Sequence, residues 1–167
     1  NSAIQEDMIS LHGNLYKFHH DRIQEAAYSM IPEKEKEAMH YRIGTNVLKK
    51  TDSKNINEKI FYIVDQLNRG IKLISGTDEE IMLAKLNLQA AQKSKKSTAY
   101  ASASSYLKIA MGLLPEYCWR SHYELAYSVH KEAMECEYLN LNFSEAEKIF
   151  DVVVKNAKSN IDKANVH

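Results

Sequence analysis

An apolar pattern that recurs every 43 residues constrains the fold of this chain more than any other feature. Apolar and small residues stand at steps of 3, 4, 3 and 4 at Tyr100, Ala103, Leu107, Ala110 and Leu114. The same steps recur 43 residues later at Phe143, Ala146, Phe150, Val153 and Ala157. Part of the pattern also occurs 43 residues earlier, at Ile60, Val64, Leu67 and Ile71, although Asn57 breaks its fifth position. Because one helix pair cannot bury its own apolar face, this repetition predicts stacked helix pairs.

Residues that interrupt helices are scarce. Proline occurs only at 32 and 115, and there are 5 glycines in 167 residues. With apolar residues every three or four positions, this scarcity predicts an almost entirely helical chain. The predicted helices are 21–30, 33–49, 56–72, 79–95, 98–114, 120–140 and 143–158. Thr77 or Asp78 is expected to cap the fourth of these helices, and Asn142 the last.

Small residues at the repeated positions indicate close packing between helices. Ala103, Leu107, Ala110 and Pro115 have the spacing at which tetratricopeptide repeats pack. The second copy has no closing proline, and the helix before each copy is irregular. We therefore predict an all-α fold, in which residues 51–167 form a tetratricopeptide-like α-solenoid of antiparallel helix pairs.

The N-terminal region has a different pattern. Residues Asn14 to Phe18 alternate between polar and apolar, which is typical of a β-strand. A lone strand is not stable, so a partner strand is required, and one missing upstream is a candidate. We interpret residues 1–50 as the end of a winged-helix-like segment with a connecting helix.

The composition limits the classes of partner and location. The chain has 22 basic and 22 acidic residues, whereas general binders of nucleic acid or acidic membranes need a basic excess. We therefore predict neither nucleic acid nor membrane as a partner. The longest apolar run, Ile60 to Val64, is far too short to span a membrane, and no secretory signal pattern opens the chain, so a cytoplasmic location is expected.

The chemically versatile side chains do not form a catalytic or metal-binding pattern. His19 and His20 are adjacent, so their side chains point to different faces and cannot readily share a ligand. Cys118 and Cys136 are predicted to be buried thiols rather than a disulfide, and His130 to be a packed or surface histidine. We predict no metal site, no cofactor and no enzymatic activity in this chain.

Four tyrosines have two possible roles. Tyr100, Tyr106, Tyr123 and Tyr127 lie in the second half of the chain, where they can pack between helices with the hydroxyl at the rim. Alternatively, they line the inner groove of the solenoid and contact a partner, because helical arrays use that surface for extended peptides. Both interpretations remain open from the sequence.

Several runs resemble one family of signalling proteins. The first run is Phe18-x-His20-Asp21-Arg22-x-Gln24-x-Ala26-Ala27-Tyr28, followed by Ile31-Pro32, His40 and Ile43-Gly44. Further runs are Ile63-Val64-Asp65-Gln66-Leu67-Asn68-Arg69-Gly70, Leu86-Asn87-Leu88-x-Ala90, Ser97-x-Ala99-Tyr100, Tyr106-Leu107, Tyr123-Glu124-Leu125 and Glu137-Tyr138-Leu139. The chain is similar in these runs to large proteins that join a serine/threonine kinase-like domain, a STAND/AAA-type ATPase, a helical repeat region, a GAF domain and often a sensor histidine kinase.

The resemblance implies a nucleotide-reading role for two residues. In related switch ATPases the histidine of the His-Asp pair contacts the β-phosphate of bound ADP, which would here be His20, with Asp21 as its structural partner. Because the chain lacks the phosphate-binding G-x-x-x-x-G-K-[ST] loop, ATP or ADP is expected only in a longer parent protein. The alternative is that His20 simply caps or packs the following helix.

The resemblance and the repeat together predict a regulatory segment. It would couple nucleotide state to an output kinase by binding a protein or the ATPase and kinase modules of its own parent. The first alternative is a free-standing, tetratricopeptide-type adaptor that binds peptides. The second is an enzyme with an unrecognised helical active site, which the missing catalytic patterns disfavour.

Overall fold

A short β-hairpin precedes an array of helices. We describe residues 9–12 and 15–164 of a computed structural model of the chain. Strands β1 (Ile9–His12) and β2 (Leu15–Phe18) pair antiparallel, with Ile9 opposite Phe18. The strand predicted at residues 14–18 is therefore present from Leu15, with residue 14 outside the described residues, and a partner strand for it lies within this chain.

Nine helices follow the hairpin in the described part of the chain. They are α1 (Asp21–Ser29), α2 (Glu33–Lys50), α3 (Ile56–Arg69), α4 (Thr77–Lys96), α5 (Tyr100–Leu113), α6 (Cys118–Ser121), α7 (Tyr123–Leu139), α8 (Phe143–Asn156) and α9 (Asn160–Ala164). Short 3-10 turns occupy Ser53–Asn55 and Ile71–Leu73. The predicted helical fold class is confirmed.

The long helices pack as three successive pairs. α2 packs on α3, α4 on α5, and α7 on α8. α3 also packs on α4, and α5 on α7, so each pair contacts the next. The helix predicted at 56–72 thus contacts both of its neighbours. The packing of α2 on α3 crosses the division predicted between residues 50 and 51.

The core runs through all three pairs. Its fully buried members include Ile60, Val64 and Leu67 of α3, and Ala103, Leu107 and Ala110 of α5. These are the positions that the 43-residue pattern marks. Ala146 and Val153 of α8 are buried as well, whereas Phe150 is only partly buried.

The 43-residue period is also visible in the backbone. Thr98 and Leu141, in the turns after α4 and α7, both adopt left-handed conformations, with φ of 57° and 64°. At the first turn, the amide of Ala99 donates to the carbonyl of Ser94, and at the second, 43 residues on, that of Asn142 donates to Glu137. Each turn is therefore the same helix-ending motif with a left-handed residue.

Several predicted helix boundaries are wrong in detail. The helix predicted at 120–140 is divided at His122 into α6 and α7, because the backbone of His122 (φ −136°, ψ 47°) is not helical. The helix predicted at 143–158 ends at Asn156, and a separate α9 follows. Neither Thr77 nor Asp78 caps α4, which begins at Thr77 after Gly76. Asn142 precedes α8 but its side chain does not cap it, since it donates instead to Glu137 Oε2 at 2.7 Å.

Other observations concern the cysteines, membranes and metals. Cys118 and Cys136 are free and buried, as predicted, and burial raises the pKa of the Cys136 thiol to about 11.

Across residues 9–12 and 15–164, no helix has the length and apolar character needed to cross a bilayer. In the same residues, no three His, Cys, Asp or Glu side chains are grouped so that they could hold a metal ion.

Two glycines allow α2 and α3 to approach closely. A Cβ on Gly44 would lie 2.7 Å from Leu67 Cγ, and one on Gly70 would lie 2.7 Å from the backbone nitrogen of Tyr41. Both distances are shorter than non-bonded atoms tolerate. The first pair therefore depends on the absence of side chains at these positions.

We expect Ala110→Leu to destabilise the protein by about 1–3 kcal/mol, because Ala110 is fully buried in α5 and the added atoms would overpack the core. The measurement is urea unfolding followed by circular dichroism. Ala101→Leu, at an exposed position of the same helix, is the control and should change stability little. Equal stability of the two variants would contradict the observed packing.

Gly70→Ala should also destabilise the protein by about 1–3 kcal/mol, because the new Cβ meets backbone atoms of Tyr41 that cannot easily move. Gly112→Ala is the matched control, since a Cβ there has no neighbour within 4 Å and lies inside α5. Replacing a helical glycine in open space should stabilise by about 0.5–1 kcal/mol. The two variants should therefore shift the urea midpoint in opposite directions.

Candidate functional site

A cleft lies where α1 meets the first helix pair. It has a volume of about 780 Å³ and is bordered by residues of β2, α1, α2 and α3. Among the residues that border it are Asp21 and Tyr28 of α1, His40 of α2, and Asp65, Gln66 and Arg69 of α3. Five of these six belong to the longest two runs of the family resemblance, and His40 stands between them.

Three of these side chains form a continuous hydrogen-bonded cluster. The Tyr28 hydroxyl lies 2.9 Å from His40 Nε2, and His40 Nδ1 lies 2.7 Å from Gln66 Oε1. Because an amide oxygen only accepts, His40 Nδ1 donates to Gln66, and Nε2 accepts the Tyr28 hydroxyl hydrogen in the neutral ring. We refer to these residues as the Tyr28–His40–Gln66 cluster. It connects α1, α2 and α3 through one imidazole that is only 7% exposed.

Charged groups surround this cluster. The ammonium of Lys36 lies 4.8 Å from the centre of the Tyr28 ring, within the range of a cation–π contact. Arg69 pairs with Asp65 at 3.2 Å. The hydrogen bond and the charge of Asp65 raise the pKa of the Arg69 guanidinium, and Tyr28 contributes in the same direction. Tyr28 is thus held by groups on both α2 and α3.

The cluster matters for α1 because that helix has no buried residue of its own. It has a polar face on the cleft and contacts β2 at its start. Hydrophobic burial therefore contributes little to holding α1 on the array. Instead, the hydrogen bond and the cation–π contact of Tyr28, near the C-terminal end of the helix, hold α1 on the array.

The two residues implied by the family resemblance lie at the opposite end of α1. The side chain of His20 is exposed and does not cap the helix, while its carbonyl accepts hydrogen bonds from the amides of Ile23 and Gln24. Asp21 is the first residue of α1 and is also exposed. At 1.5 Å per residue, Asp21 and Tyr28 are separated by about 10 Å along the helix.

The described residues of the cleft do not favour phosphate. Asp21, Glu25 and Asp65 contribute carboxylates, and the guanidinium of Arg69 is already bound to Asp65. An anion inside the cleft would therefore meet net negative charge. The exposed imidazole of His20 remains able to donate a hydrogen bond to a group approaching from outside.

The four tyrosines predicted to line a groove have separate local contacts. Tyr106 is partly buried and stacks on Phe61 of α3, with ring centres 6.1 Å apart, and burial raises the pKa of its hydroxyl. Tyr100, also partly buried, begins α5. The partner-binding role of these two residues remains a prediction.

The other two tyrosines contact the C-terminal part of the chain. Tyr123 and Tyr127 stack on each other with ring centres 6.0 Å apart. The Tyr123 hydroxyl donates to Asp162 Oδ2 at 2.8 Å, and the Tyr127 hydroxyl donates to the Asp162 carbonyl at 2.9 Å. Both hydroxyls are therefore occupied by α9, which any partner at this surface would have to displace.

Two other polar side chains have structural roles. His130 packs against Trp119 with ring centres 4.9 Å apart and donates from Nδ1 to the Ala126 carbonyl, as expected for a packed histidine. Lys95 bonds to Glu132 and Glu135 of α7. Burial would lower the pKa of the Lys95 ammonium, but these two carboxylates together hold it above its ordinary value.

The sequence analysis did not identify two buried polar groups. Asn87 of α4 is fully buried and exchanges two hydrogen bonds with the Asn68 amide of α3, at 2.8 and 2.9 Å. Glu137 of α7 is 2% exposed and lies 3.2 Å from the Lys108 ammonium of α5. Both residues stand in runs that carry the resemblance, which was the only signal that pointed to them.

The comparison with known proteins found similarity to a signalling kinase. The chain is 31% identical to hybrid signal transduction histidine kinase G of Dictyostelium discoideum over 173 aligned positions. The alignment covers 87% of this chain but only 5% of that relative. No family model matches the chain, and no solved structure does. The similarity indicates a segment of a signalling protein.

We expect Tyr28→Phe to loosen α1, because the substitution removes one hydrogen bond and leaves His40 Nε2 without that partner. The expected cost is about 0.5–1.5 kcal/mol. Amide hydrogen exchange should show it as faster exchange in α1, with little change in α5. The control is Tyr62→Phe, at an exposed tyrosine that borders the same cleft. Unchanged exchange in α1 would contradict the anchoring role of the cluster.

Proposed function

We propose that this chain is a non-catalytic regulatory segment of a signal-transduction protein. The observation that carries the proposal is the Tyr28–His40–Gln66 cluster, which joins the helix after His20 and Asp21 to the helical array. The similarity to a hybrid histidine kinase over most of the chain supports the signalling context. The segment would transmit a change at α1 to the helices that follow.

In this proposal the two parts of the chain have different origins in the parent protein. The β-hairpin and α1 would be the end of a winged helix that belongs to a STAND-type ATPase. The three helix pairs would be a tetratricopeptide-like solenoid, for which the repeated turns at Thr98 and Leu141 are the main support. The parent would contain the ATPase and kinase modules, so ATP or ADP would bind there and not to this chain alone.

The proposed mechanism uses the length of α1. His20 would donate a hydrogen bond to the β-phosphate of ADP held by the upstream ATPase, with Asp21 supporting the start of the helix. Motion at that end would reach Tyr28 through the rigid helix and make or break the bond to His40. Because α1 buries no residue, the array could remain folded whether the hydrogen bond between Tyr28 and His40 is made or broken. A coupling of this kind typically has a magnitude of about 1–3 kcal/mol.

The partners proposed for the array are other proteins or other modules of the parent, in the cytoplasm. Its charge balance disfavours nucleic acid and acidic membranes. The array would bias the ATPase between ADP-bound and ATP-bound states by contacting those modules. The groove formed by the tyrosines is one proposed contact surface.

The test is the ADP affinity of the parent protein, with the upstream ATPase segment present. We expect His20→Ala to weaken ADP binding at least tenfold, which corresponds to about 1.4 kcal/mol. His19→Ala is the control, because the adjacent imidazole points to another face. If ADP affinity is unchanged in a folded His20→Ala protein, His20 is a structural residue and the nucleotide-reading role is wrong.

A further inference from the structure

A polar cavity lies between the first and second helix pairs. It has a volume of about 380 Å³ and is enclosed by the turn before α3, the first residues of α3 and the last part of α4. The residues that border it include Ser53, Gln89, Gln92, Lys93 and Lys96. None of the described residues on its border is acidic. We call this space the α3–α4 cavity.

Two ammonium groups at this cavity are not neutralised by carboxylates. Lys93 donates a hydrogen bond to the carbonyl oxygen of Asn57 at 2.6 Å, and its ammonium lies 5.1 Å from the centre of the Phe61 ring. Neither of these groups carries a net negative charge. Lys96 is exposed, and within residues 9–12 and 15–164 neither lysine forms an ion pair. The cavity therefore attracts anions.

The internal repeat shows how the equivalent space is filled between the second and third pairs. There, the Lys95 ammonium of α4 bonds to the carboxylates of Glu132 and Glu135 of α7. The 43-residue offset relates these two acids to Gln89 and Gln92, which border the α3–α4 cavity. One interface thus holds a partly buried cation between two acids, whereas the other presents two neutral amides to an open space.

The cavity is open because α2 ends early. α4 and α7 end at Lys96 and Leu139, which are 43 residues apart, but α2 ends at Lys50 and not at residue 53, where the same offset would place its end. Asp52, the counterpart of Lys95, is exposed and does not border the cavity. Both helix pairs that enclose the cavity are present in the structure, so its opening follows from this early helix end.

The charges at the cavity are the reverse of those around Lys95. At the positions of Lys93 and Lys96, α7 has Cys136 and Leu139, which carry no charge in their ordinary forms. From the third pair to the second, the same space therefore loses two acids and gains two bases. A group that fills it as Lys95 fills its counterpart must be an anion.

The number of donors favours a doubly charged anion. Two ammonium groups match the charge of a dianion, and the Gln89 amide and the Ser53 hydroxyl can donate further hydrogen bonds. A phosphate monoester has a second pKa of about 6 and is mostly a dianion at neutral pH. A carboxylate carries only one charge and has fewer oxygens to accept hydrogen bonds.

We propose that the α3–α4 cavity binds a phosphate monoester. Lys93 and Lys96 pair with the phosphate oxygens, as lysine does in other phosphate sites. The bound group connects the start of α3 to the end of α4, as Lys95 connects α4 to α7. The inference goes beyond the proposed function, since it concerns another site and does not require nucleotide reading by His20.

The experiment is isothermal titration calorimetry of the 167-residue chain with two phosphate monoesters. The α-amide of N-acetylphosphoserine represents a phosphorylated side chain, and glycerol 3-phosphate represents a small metabolite. The α-amide of N-acetylglutamate is the carboxylate control. We expect at least one monoester to bind about tenfold more tightly than the carboxylate, and the tighter of the two identifies the source of the phosphate.

Substitutions test whether binding occurs in the cavity. Lys93→Gln combined with Lys96→Gln should weaken monoester binding by about tenfold or more. Lys96→Gln alone should weaken it less, and it leaves the Lys93 bond to Asn57 in place. Gln89→Glu should also weaken binding, because the new carboxylate repels the phosphate. Lys85→Gln, at an exposed lysine of α4 that does not border the cavity, is the control and should leave the affinity unchanged.

A pH series tests the charge of the bound form. The affinity should rise between about pH 5 and pH 7, because the monoester loses its second proton while both lysines stay charged. Circular dichroism confirms that each variant is folded under the conditions of the titration. An affinity that does not change over this range would contradict recognition of the dianion.

Three further results would overturn the proposal. They are the absence of binding by either monoester, equal affinity for the carboxylate, and a double lysine variant that loses no more affinity than Lys85→Gln. The last result would show general attraction to surface lysines rather than binding in the cavity. None of these measurements involves ADP or His20, so failure here is distinct from failure of nucleotide reading.

Discussion

The second helix of each pair has apolar residues on more than one side, and the fold depends on covering them. α3 lies against both α2 and α4, and α5 against both α4 and α7. Ile60, Val64, Ala103, Leu107 and Ala110 reach complete burial only because both sides are covered. One pair alone would leave one of those sides in water, so the pairs must stack.

Buried polar groups fix how the pairs are placed on one another. The Asn68–Asn87 amides bond reciprocally between α3 and α4, and Glu137 bonds between α5 and α7. Apolar side chains tolerate sliding, whereas a displaced amide or carboxylate would be buried without its partner at a cost of about 1–3 kcal/mol. These groups therefore restrict each interface to one register.

Glu137 shows the electrostatic side of this restriction. Burial would raise the pKa of the Glu137 carboxyl, but the hydrogen bond from Asn142 and the charge and hydrogen bond of Lys108 outweigh it and hold the pKa below its ordinary value. The folded state therefore prefers the ionised form. Its contribution to stability is present above the ordinary carboxyl pKa and is lost as the pH falls through the lowered value.

The repeat made the long helices predictable, since the spacing of apolar residues and the scarcity of proline and glycine are local properties of the sequence. The same spacing identified Ala103, Ala110 and Val153 as buried positions. It could not reveal the division at His122, where neither glycine nor proline marks the change of direction. Nor could it reveal the Tyr28–His40–Gln66 cluster, whose members are 12 and 26 residues apart and meet only after the first pair has formed.

The two ends of the array differ in the kind of contact they offer. At the first end, α1 has no buried residue and is held through Tyr28 by a hydrogen bond and a cation–π contact, which are individually weak and can re-form after they break. At the other end, Tyr138 and Phe143 present apolar area, which favours stable association over reversible opening. Within the proposed function, the weak and directional contacts of α1 therefore suit the end of the segment that receives the input.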